Sequence, residues 1–167
     1  MLLEVYAKIE GFDNYAISNL GNVINIKKNG EPLKPNKNKG FLTVNLYLGG
    51  KYKTLKIHRL VANAYLDKIE NKNIIDHIDN NPLNNRIDNL RFCNTSENNR
   101  NSKMPITNTS GIKGVNWHKK DNKWYAQIQF NKKKIHIGCY EDIEEAKIAR
   151  QNKARELFGE FLNDCEK

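Results

Sequence analysis

A polar segment rich in asparagine, residues 74–100, is the feature that most limits how this chain can fold. It begins with the acid–histidine pair Asp76-His77 and continues through a proline-containing loop, as a tight polar excursion would. A short second strand is predicted directly after Asn89, and Thr95 is a suitable N-cap for a following helix. The segment therefore predicts a strand, a polar loop, a second strand and a helix.

Three side chains of this segment have the chemistry of a reactive site. Asp76 supplies a carboxylate, His77 an imidazole and Asn98 a carboxamide, all within 23 residues. Oxygen ligands suit a hard divalent cation, and an imidazole can act as a general base beside it. Adjacent residues on a regular strand point to opposite faces, so Asp76 and His77 can serve one phosphate only if a strand end or bulge brings them together. A lone Asp-His pair is more often an ordinary loop feature, so this interpretation depends on the neighbouring motifs.

The net charge of +9 is distributed unevenly over the 167 residues. It is +5 for residues 1–57, zero for residues 58–102, +7 for residues 103–140 and −3 for residues 141–167. A neutral centre between two basic flanks indicates a site that its neighbours hold against a polyanion, namely nucleic acid. Charge alone leaves open the alternative of a merely basic protein.

Several classes of protein are excluded by composition. No apolar run approaches the roughly 20 residues of a membrane span, and the N-terminus does not have the pattern of a secretory signal. We therefore expect an intracellular protein, in the cytoplasm of a bacterial or phage-infected cell, with no membrane partner and no small-molecule substrate. The absence of a heptad pattern predicts a monomer. Three scattered cysteines without a Cys-x-x-Cys pair indicate a reducing compartment and no zinc site: Cys93, Cys139 and Cys165.

Residues 1–53 predict a small β module. Apolar and polar residues alternate through residues 11–27 around a central turn, which predicts two short strands. Residues 27–40 are rich in Lys, Asn and Pro and predict an exposed basic loop. A hairpin with its turn at Gly49-Gly50 follows, and residues 58–66 then change to a helical period.

The β module resembles the small modular DNA-binding elements that accompany the catalytic domains of homing endonucleases. That family usually has a Trp upstream of its Gly-Phe pair, and Val5-Tyr6 takes its place here. The resemblance implies contact with DNA. The residues that carry it are Ile9-Glu10-Gly11-Phe12, Tyr15-Ala16-Ile17-Ser18-Asn19 and Gly21-Asn22-Val23.

Residues 54–101 are similar to the HNH nuclease family, in which a β-hairpin packs on a helix around one metal ion. His58 begins the upstream helix, where it is expected to pack or cap rather than to catalyse. The motifs that carry the resemblance are His58-Arg59-Leu60-Val61-Ala62, Asn84-Asn85-Arg86-Ile87-Asp88-Asn89-Leu90 and Ser96-Glu97-Asn98-Asn99-Arg100.

The HNH resemblance implies a role for each matched residue. His77 would be the general base, Asp76 a metal ligand, and Asn89 the residue that tethers the loop and orients the base. Asn98 would complete the protein's metal ligands in a position where many relatives have His, and Asn99 is the adjacent alternative. The implied ion is Mg²⁺, for which Mn²⁺ should substitute, and activity should rise through roughly pH 6 to 8 as the base becomes neutral.

Residues 111–163 predict three strands and a helix, after a linker at residues 102–110. Val115 and Trp117 are expected to share the core face, and Asp142 with the acid three residues later predicts a capping box at the helix start. The segment resembles the plant APETALA2 DNA-binding domain, although its exposed strand face has Lys, His, Gln and Tyr where the plant domains have several Arg. A general α/β packing module is the alternative. The matching residues are Gly114-Val115, Trp124-Tyr125-Ala126, Ile135-His136-Ile137-Gly138, Tyr140, Glu144-Glu145-Ala146 and Phe158-Gly159.

Together these patterns predict an α+β protein with a small N-terminal β module, a central ββα-metal nuclease core and a C-terminal three-stranded antiparallel sheet packed on one helix. The predicted function is a site-specific, metal-dependent DNA endonuclease of the homing type that leaves 5′-phosphate and 3′-hydroxyl ends, by nicking or by double-strand cleavage. The alternative is a DNA-binding protein derived from such a nuclease that no longer cuts. The residues expected to contact double-stranded DNA are Lys34, Lys37, Lys39, Arg59, Arg100, Asn116, His118, Lys120, Lys123, Tyr125, Gln127, Gln129, Lys134 and His136.

Overall fold

The computed structural model describes residues 2–28, 30–163 and 166, so that Cys165 lies outside the described residues. The chain divides into two compact units, residues 1–94 and 95–167. The division falls before the helix that carries Asn98, and the predicted linker lies inside the second unit. Small sheets and few helices make up both units, which confirms the predicted mixture of α and β structure.

Two antiparallel sheets of three strands each form most of the first unit. Residues 27–40 are not entirely the exposed loop that the sequence predicts, because the first strand of the second sheet forms within them; its three residues are all exposed. The strands are β1 (Tyr6–Ile9), β2 (Phe12–Ser18) and β3 (Val23–Asn25), then β4 (Asn36–Asn38), β5 (Phe41–Leu48) and β6 (Lys51–Lys56).

A helix and a two-stranded hairpin complete the first unit. Helix α1 (Ile57–Tyr65) follows β6 directly. The hairpin pairs β7 (Ile74–His77) with β8 (Leu90–Cys93), and a 3-10 helix, Ile87–Asn89, leads into the second strand. The long polar loop of the sequence therefore lies between two strands of only four residues each.

One hydrophobic core serves all of these elements, so the predicted boundary between residues 53 and 54 runs through it. The hydroxyl of Tyr65 on α1 lies 2.7 Å from the carbonyl oxygen of Val5 and 2.8 Å from that of Ile17, which joins the helix to the first sheet. The buried core residues are Ile9, Phe12, Tyr15, Ile17, Val23, Val44, Leu46, Ile57, Val61 and Leu90.

The turn after β2 packs against the polar loop between β7 and β8. The backbone carbonyl of Asn19 accepts a hydrogen bond from the Ile87 N–H at 2.8 Å. Gly21 has a φ of +91°, and a Cβ there would lie 3.2 Å from the Asn85 Cβ. Glycine is therefore required at this position both by its backbone conformation and by the close approach of the loop.

The second unit begins with a short helix and contains a three-stranded sheet covered by a long helix. The sheet order is β11-β10-β9, and the long helix packs its small and apolar residues against it. No helix in the described residues is both long and apolar enough to cross a membrane. The elements are α2 (Thr95–Arg100), β9 (Val115–His118), β10 (Lys123–Phe130), β11 (Lys133–Tyr140), α3 (Ile143–Phe158) and a 3-10 helix, Gly159–Phe161.

Two details of the second unit differ from the expectation. Trp117 does not lie in the core with Val115, because 43% of its surface is exposed and its ring packs edge-on against Trp124 at 5.0 Å. The Asp142 carboxylate caps α3 by accepting a hydrogen bond from the Glu144 N–H at 2.9 Å. The predicted helix start is therefore correct, while the cap donor is one residue earlier than the capping-box spacing implies.

Substitution of two leucines on β5 tests which side of this strand faces the hydrophobic core of the first unit. Leu46 is fully buried and Leu48, two residues later, is 40% exposed. Leu46→Ala should lower the free energy of unfolding by about 2–5 kcal/mol, since it leaves a cavity, and Leu48→Ala by well under that amount. Urea denaturation followed by circular dichroism measures both. Equal losses for the two variants would contradict this description of the core.

Candidate active site

The imidazole of His77 is held at the end of β7 by three neighbours. The side chain is only 7% exposed, and its Nε2 atom lies 3.1 Å from the Oδ1 atom of Asn85. The centroid of its ring is 5.1 Å from that of His58 and 6.3 Å from that of Phe41. His77 is thus the last residue of its strand, where the polar loop begins, and its ring is fixed by packing on α1 and β5.

The contact with Asn85 determines which ring nitrogen can accept a proton. A carboxamide oxygen is only an acceptor, so a neutral His77 carries its proton on Nε2 and its basic lone pair on Nδ1. Asn85 was not among the predicted site residues, although it lies in the Asn-rich run used to recognise the family. Its role depends on how the loop folds back toward the strand, which spacing alone does not reveal.

Asp76 lies directly opposite Arg91 in the hairpin. Its Oδ2 atom accepts a hydrogen bond from the Arg91 Nε at 2.9 Å and forms an ion pair with the Arg91 Nη2 at 2.8 Å, and the carboxylate is 6% exposed. The pairing is charge-assisted and largely shielded from water, so it fixes the orientation of the carboxylate. His77, the next residue, is the last of β7, so the pair lies at the strand end where the polar loop begins.

Asn89 closes the loop between the two strands. Its Oδ1 atom accepts a hydrogen bond from the Asp79 N–H at 3.0 Å. Its Nδ2 group donates to the Asp79 carboxylate and to the Asn84 carbonyl oxygen, both at 2.9 Å. Its backbone carbonyl accepts from the Ile78 N–H at 2.9 Å. One buried side chain therefore ties the first residues after His77 to the last residues of the loop.

His58 packs beside the site, and its side chain makes no capping bond. It is 4% exposed, and its ring lies between those of Phe41 and His77 at 5.1 Å from each. Burial, and then the repulsion of a protonated His77, lowers the pKa of His58 from 6.5 to about 4. Since its pKa is lowered to about 4, His58 is neutral near pH 7.

The remaining predicted residues lie away from this hairpin along the chain. Asn98 is half-buried in α2, within the second compact unit, and adjacent Asn99 is exposed. Lys34, Lys37 and Lys39 are exposed around β4, and Arg59 is exposed on α1. The predicted contacts in the second unit lie in α2 (Arg100), in the strands and turn of the sheet (Asn116, His118, Lys120, Lys123, Tyr125, Gln127, Gln129) and on β11 (Lys134, His136).

The donor atoms at Asp76 fit a magnesium ion. The buried Asp76 carboxylate is a hard oxygen donor, and carboxylate and carboxamide oxygens with retained water are the ligands that Mg²⁺ takes in proteins. Among the described residues no three His, Cys, Asp or Glu side chains form a cluster that could hold a metal ion.

Two family models match the chain, one on each side of residue 50. The NUMOD4 motif matches residues 4–47, and the HNH endonuclease model matches residues 55–100. The chain belongs to the HNH endonuclease family, and its N-terminal segment is a NUMOD4 motif. These matches contain the hairpin, the polar loop and the turn that packs against it.

Three similar proteins come from viruses. The chain is 38% identical over 110 residues to protein 3.8 of Escherichia phage T7, an alignment that spans 66% of this chain and 90% of that protein. It is 34% identical over 110 residues to an uncharacterized HNH endonuclease of Acanthamoeba polyphaga mimivirus, which covers 66% of this chain but only 32% of the relative. The DNA endonuclease I-HmuI of Bacillus phage SP01 is 39% identical over 71 residues, or 41% of this chain and 40% of that one.

The fold also resembles a solved structure of I-HmuI, described as DNA binding and cleavage by an HNH homing endonuclease. The TM-score is 0.53 at 37% sequence identity, over 58% of this chain and 56% of that one. The chain thus spans between a third and about half of the mimivirus and I-HmuI proteins. The similarity covers a shared part of these proteins and not their whole length.

The buried position of His58 predicts a specific dependence of stability on pH. The folded protein keeps His58 neutral while the unfolded chain takes up a proton below about pH 6.5, so the free energy of unfolding should fall as the pH drops from about 6.5 to 4. The contribution is about 3 kcal/mol. His58→Phe should remove most of this slope, as measured by urea denaturation at several pH values.

The exposed His136 supplies the matched control for that measurement. His136→Phe should leave the slope between pH 6.5 and 4 as it is in the unmodified protein, within about 0.5 kcal/mol. An unchanged slope in His58→Phe would show that His58 is not buried in its neutral form.

Proposed function

We propose that this protein is a Mg²⁺-dependent, site-specific DNA endonuclease of the homing type that hydrolyses a phosphodiester to 5′-phosphate and 3′-hydroxyl ends. The observation that carries the proposal is the buried His77, oriented by Asn85 and placed at the start of a loop that Asn89 closes. An imidazole held in one orientation and one tautomer is what a general base requires. Membership of the HNH endonuclease family supports the same reaction.

His77 acts on the water that attacks the phosphorus. Its Nδ1 lone pair takes a proton from water, and the hydroxide forms a bond to the phosphorus as the bond to the 3′ oxygen breaks. The Nε2 proton stays on the ring, where the Asn85 oxygen stabilises the positive charge that develops.

Asp76 and Asn98 are the residues that would hold the metal ion. A bound Mg²⁺ would act as a Lewis acid and supply positive charge beside the phosphate, where negative charge develops. Arg91 keeps the Asp76 carboxylate in one orientation through its two contacts to Oδ2. Asn98, with adjacent Asn99 as the alternative, is the second metal ligand that the resemblance to the HNH family implies.

The exposed face of the C-terminal sheet is the proposed DNA-reading surface, as in an APETALA2-like domain. Three cross-strand pairs lie on it: Asn116 with Tyr125, Gln127 with His136, and Gln129 with Lys134. The His118 ring stacks on that of Tyr125 at 4.5 Å and 12°. A hydrogen bond to Asp121 raises the pKa of Tyr125, so its hydroxyl keeps its proton. Amide, imidazole and hydroxyl groups in one layer can donate to and accept from base edges.

Removal of the base is the direct test of the proposed reaction. His77→Ala should lower the rate of Mg²⁺-dependent plasmid nicking by about 10²–10⁴-fold, the usual contribution of a general base, and should leave DNA affinity unchanged. Asn85→Ala should lower the rate less, because the base remains but loses its fixed orientation. Gel assays of supercoiled plasmid with Mg²⁺, with Mn²⁺ and with chelator measure the rates.

The same assay separates the enzyme from a DNA-binding protein that does not cut. Nicking that chelator stops supports the endonuclease. DNA binding by the unmodified protein without any nicking would favour the inactive regulator. Strong residual cutting by His77→Ala would show that another group is the base.

Replacement of one lysine on the exposed sheet face tests the proposed contact with DNA. Lys134→Ala should weaken binding to all DNA sequences alike and reduce the slope of log affinity against log salt concentration by about 1, since one phosphate contact is lost. Lys147→Ala, which removes the same charge from α3, should leave the slope unchanged. Fluorescence anisotropy at several salt concentrations measures both. Equal changes in the salt slope for the two variants would show that the sheet face makes no specific contact with DNA.

A further inference from the structure

A strongly basic cavity lies in the second unit. Its volume is about 490 Å³, within the range of pockets that hold a small ligand. Four cationic side chains line it and no acidic side chain does: Arg100, Lys113, Lys132 and Arg150. The neutral lining groups that can donate hydrogen bonds include the hydroxyls of Thr95 and Ser96 and the carboxamides of Asn99 and Asn131. Such a lining favours an anion.

Two of the four cations already have structural partners. Glu166, which is nearly fully buried, pairs with Arg150 at 2.6 Å and with Lys113 at 3.1 Å. The Lys113 ammonium also donates to the carbonyl oxygens of Arg100 and Ser102, at 3.1 and 2.7 Å. These contacts tie Lys113 and Arg150 to neighbouring groups of the second unit.

Arg100 and Lys132 have no carboxylate partner in residues 2–28, 30–163 and 166. The Arg100 guanidinium lies 4.6 Å from the centroid of the Phe130 ring, which fixes its plane. Its Nη2 contacts Asn131 Oδ1 at 3.4 Å and Ser96 Oγ at 3.5 Å, near the limit of a hydrogen bond, and a guanidinium has five donors in all. Lys132 occupies the two-residue turn between β10 and β11, with a φ of +63°.

We propose that this cavity binds one nucleotide of a DNA strand, with its phosphate held by Arg100 and Lys132. The proposal deepens the proposed function, on which it rests for the identity of the anion. A guanidinium with a fixed plane can present two parallel N–H groups to phosphate oxygens, and the volume leaves room for the attached sugar and base.

The test compares two double variants of the full chain that remove the same charge. Arg100→Gln with Lys132→Gln should weaken binding of a 30-base-pair duplex roughly tenfold and reduce the salt slope by about 0.9, the value of one phosphate contact. Lys147→Gln with Lys153→Gln, two half-buried lysines of α3 that pair with Glu144 and Glu156, should change neither quantity. Fluorescence anisotropy at increasing NaCl concentration gives affinity and slope. An unchanged slope in the cavity variant, or an equal loss in the control, overturns the proposal.

Further binding measurements distinguish a phosphate of DNA from a free phosphate and from RNA. Inorganic phosphate and a deoxynucleoside monophosphate, titrated by calorimetry, should bind far more weakly than the duplex. If either small anion saturates the protein while the cavity variant binds DNA as the unmodified protein does, the site belongs to a free anion and the proposal is overturned. Tighter binding of an RNA of the same sequence, lost in the cavity variant, would also overturn it.

Folding and catalysis are followed separately from binding. Circular dichroism shows whether the double variant is folded. If it is unfolded, Lys132→Gln alone, at an exposed turn position, should still reduce the salt slope. A slope equal to that of the unmodified protein overturns the proposal. His77→Ala should keep the full slope. A chain that never nicks plasmid but shows the expected change in slope would refute the endonuclease and leave the nucleotide site standing.

Discussion

The first unit depends on the hydrogen bonds that Asn89 makes across the base of the polar loop. Two strands of four residues bury little apolar surface, so the loop between them needs another source of order. Asn89 provides it with three side-chain bonds and one backbone bond that join both ends of the loop. Because the group is buried, loss of any partner would leave a polar atom unsatisfied, which makes the closed loop specific.

The NUMOD4 segment supports the same loop from its other side. Asn19 binds the N–H of Ile87 through its backbone, while its side chain binds the N–H of Val5 and the carbonyl oxygen of Leu3. Gly21 allows the turn to approach Asn85, which in turn contacts His77. The orientation of the imidazole therefore depends on residues about 55 positions earlier in the chain, through contacts that lie within one hydrophobic core.

Local pattern predicted much of this arrangement, and long-range packing explains the rest. The alternation in β5, the helical period after it and the position of Asn89 all follow from short segments of sequence. Asn85, in contrast, acquires its contact with His77 only when the loop folds, and Trp117 is exposed because its strand is at the edge of the sheet. The shared core of the first unit was not predicted either, because a change in periodicity marks a new element and not a new core.

The groups around His77 carry little net charge, so the attraction of a polyanion depends on other parts of the chain. Arg91 offsets Asp76, and burial keeps His58 neutral near physiological pH, so the hairpin has little net charge with which to attract a polyanion. The basic residues lie instead in the segments before and after it, at +5 and +7. Long-range attraction falls with salt, whereas buried contacts are screened much less. For this reason the ionic strength should act on DNA binding through the flanks, while the orientation of His77 by Asn85 stays independent of it.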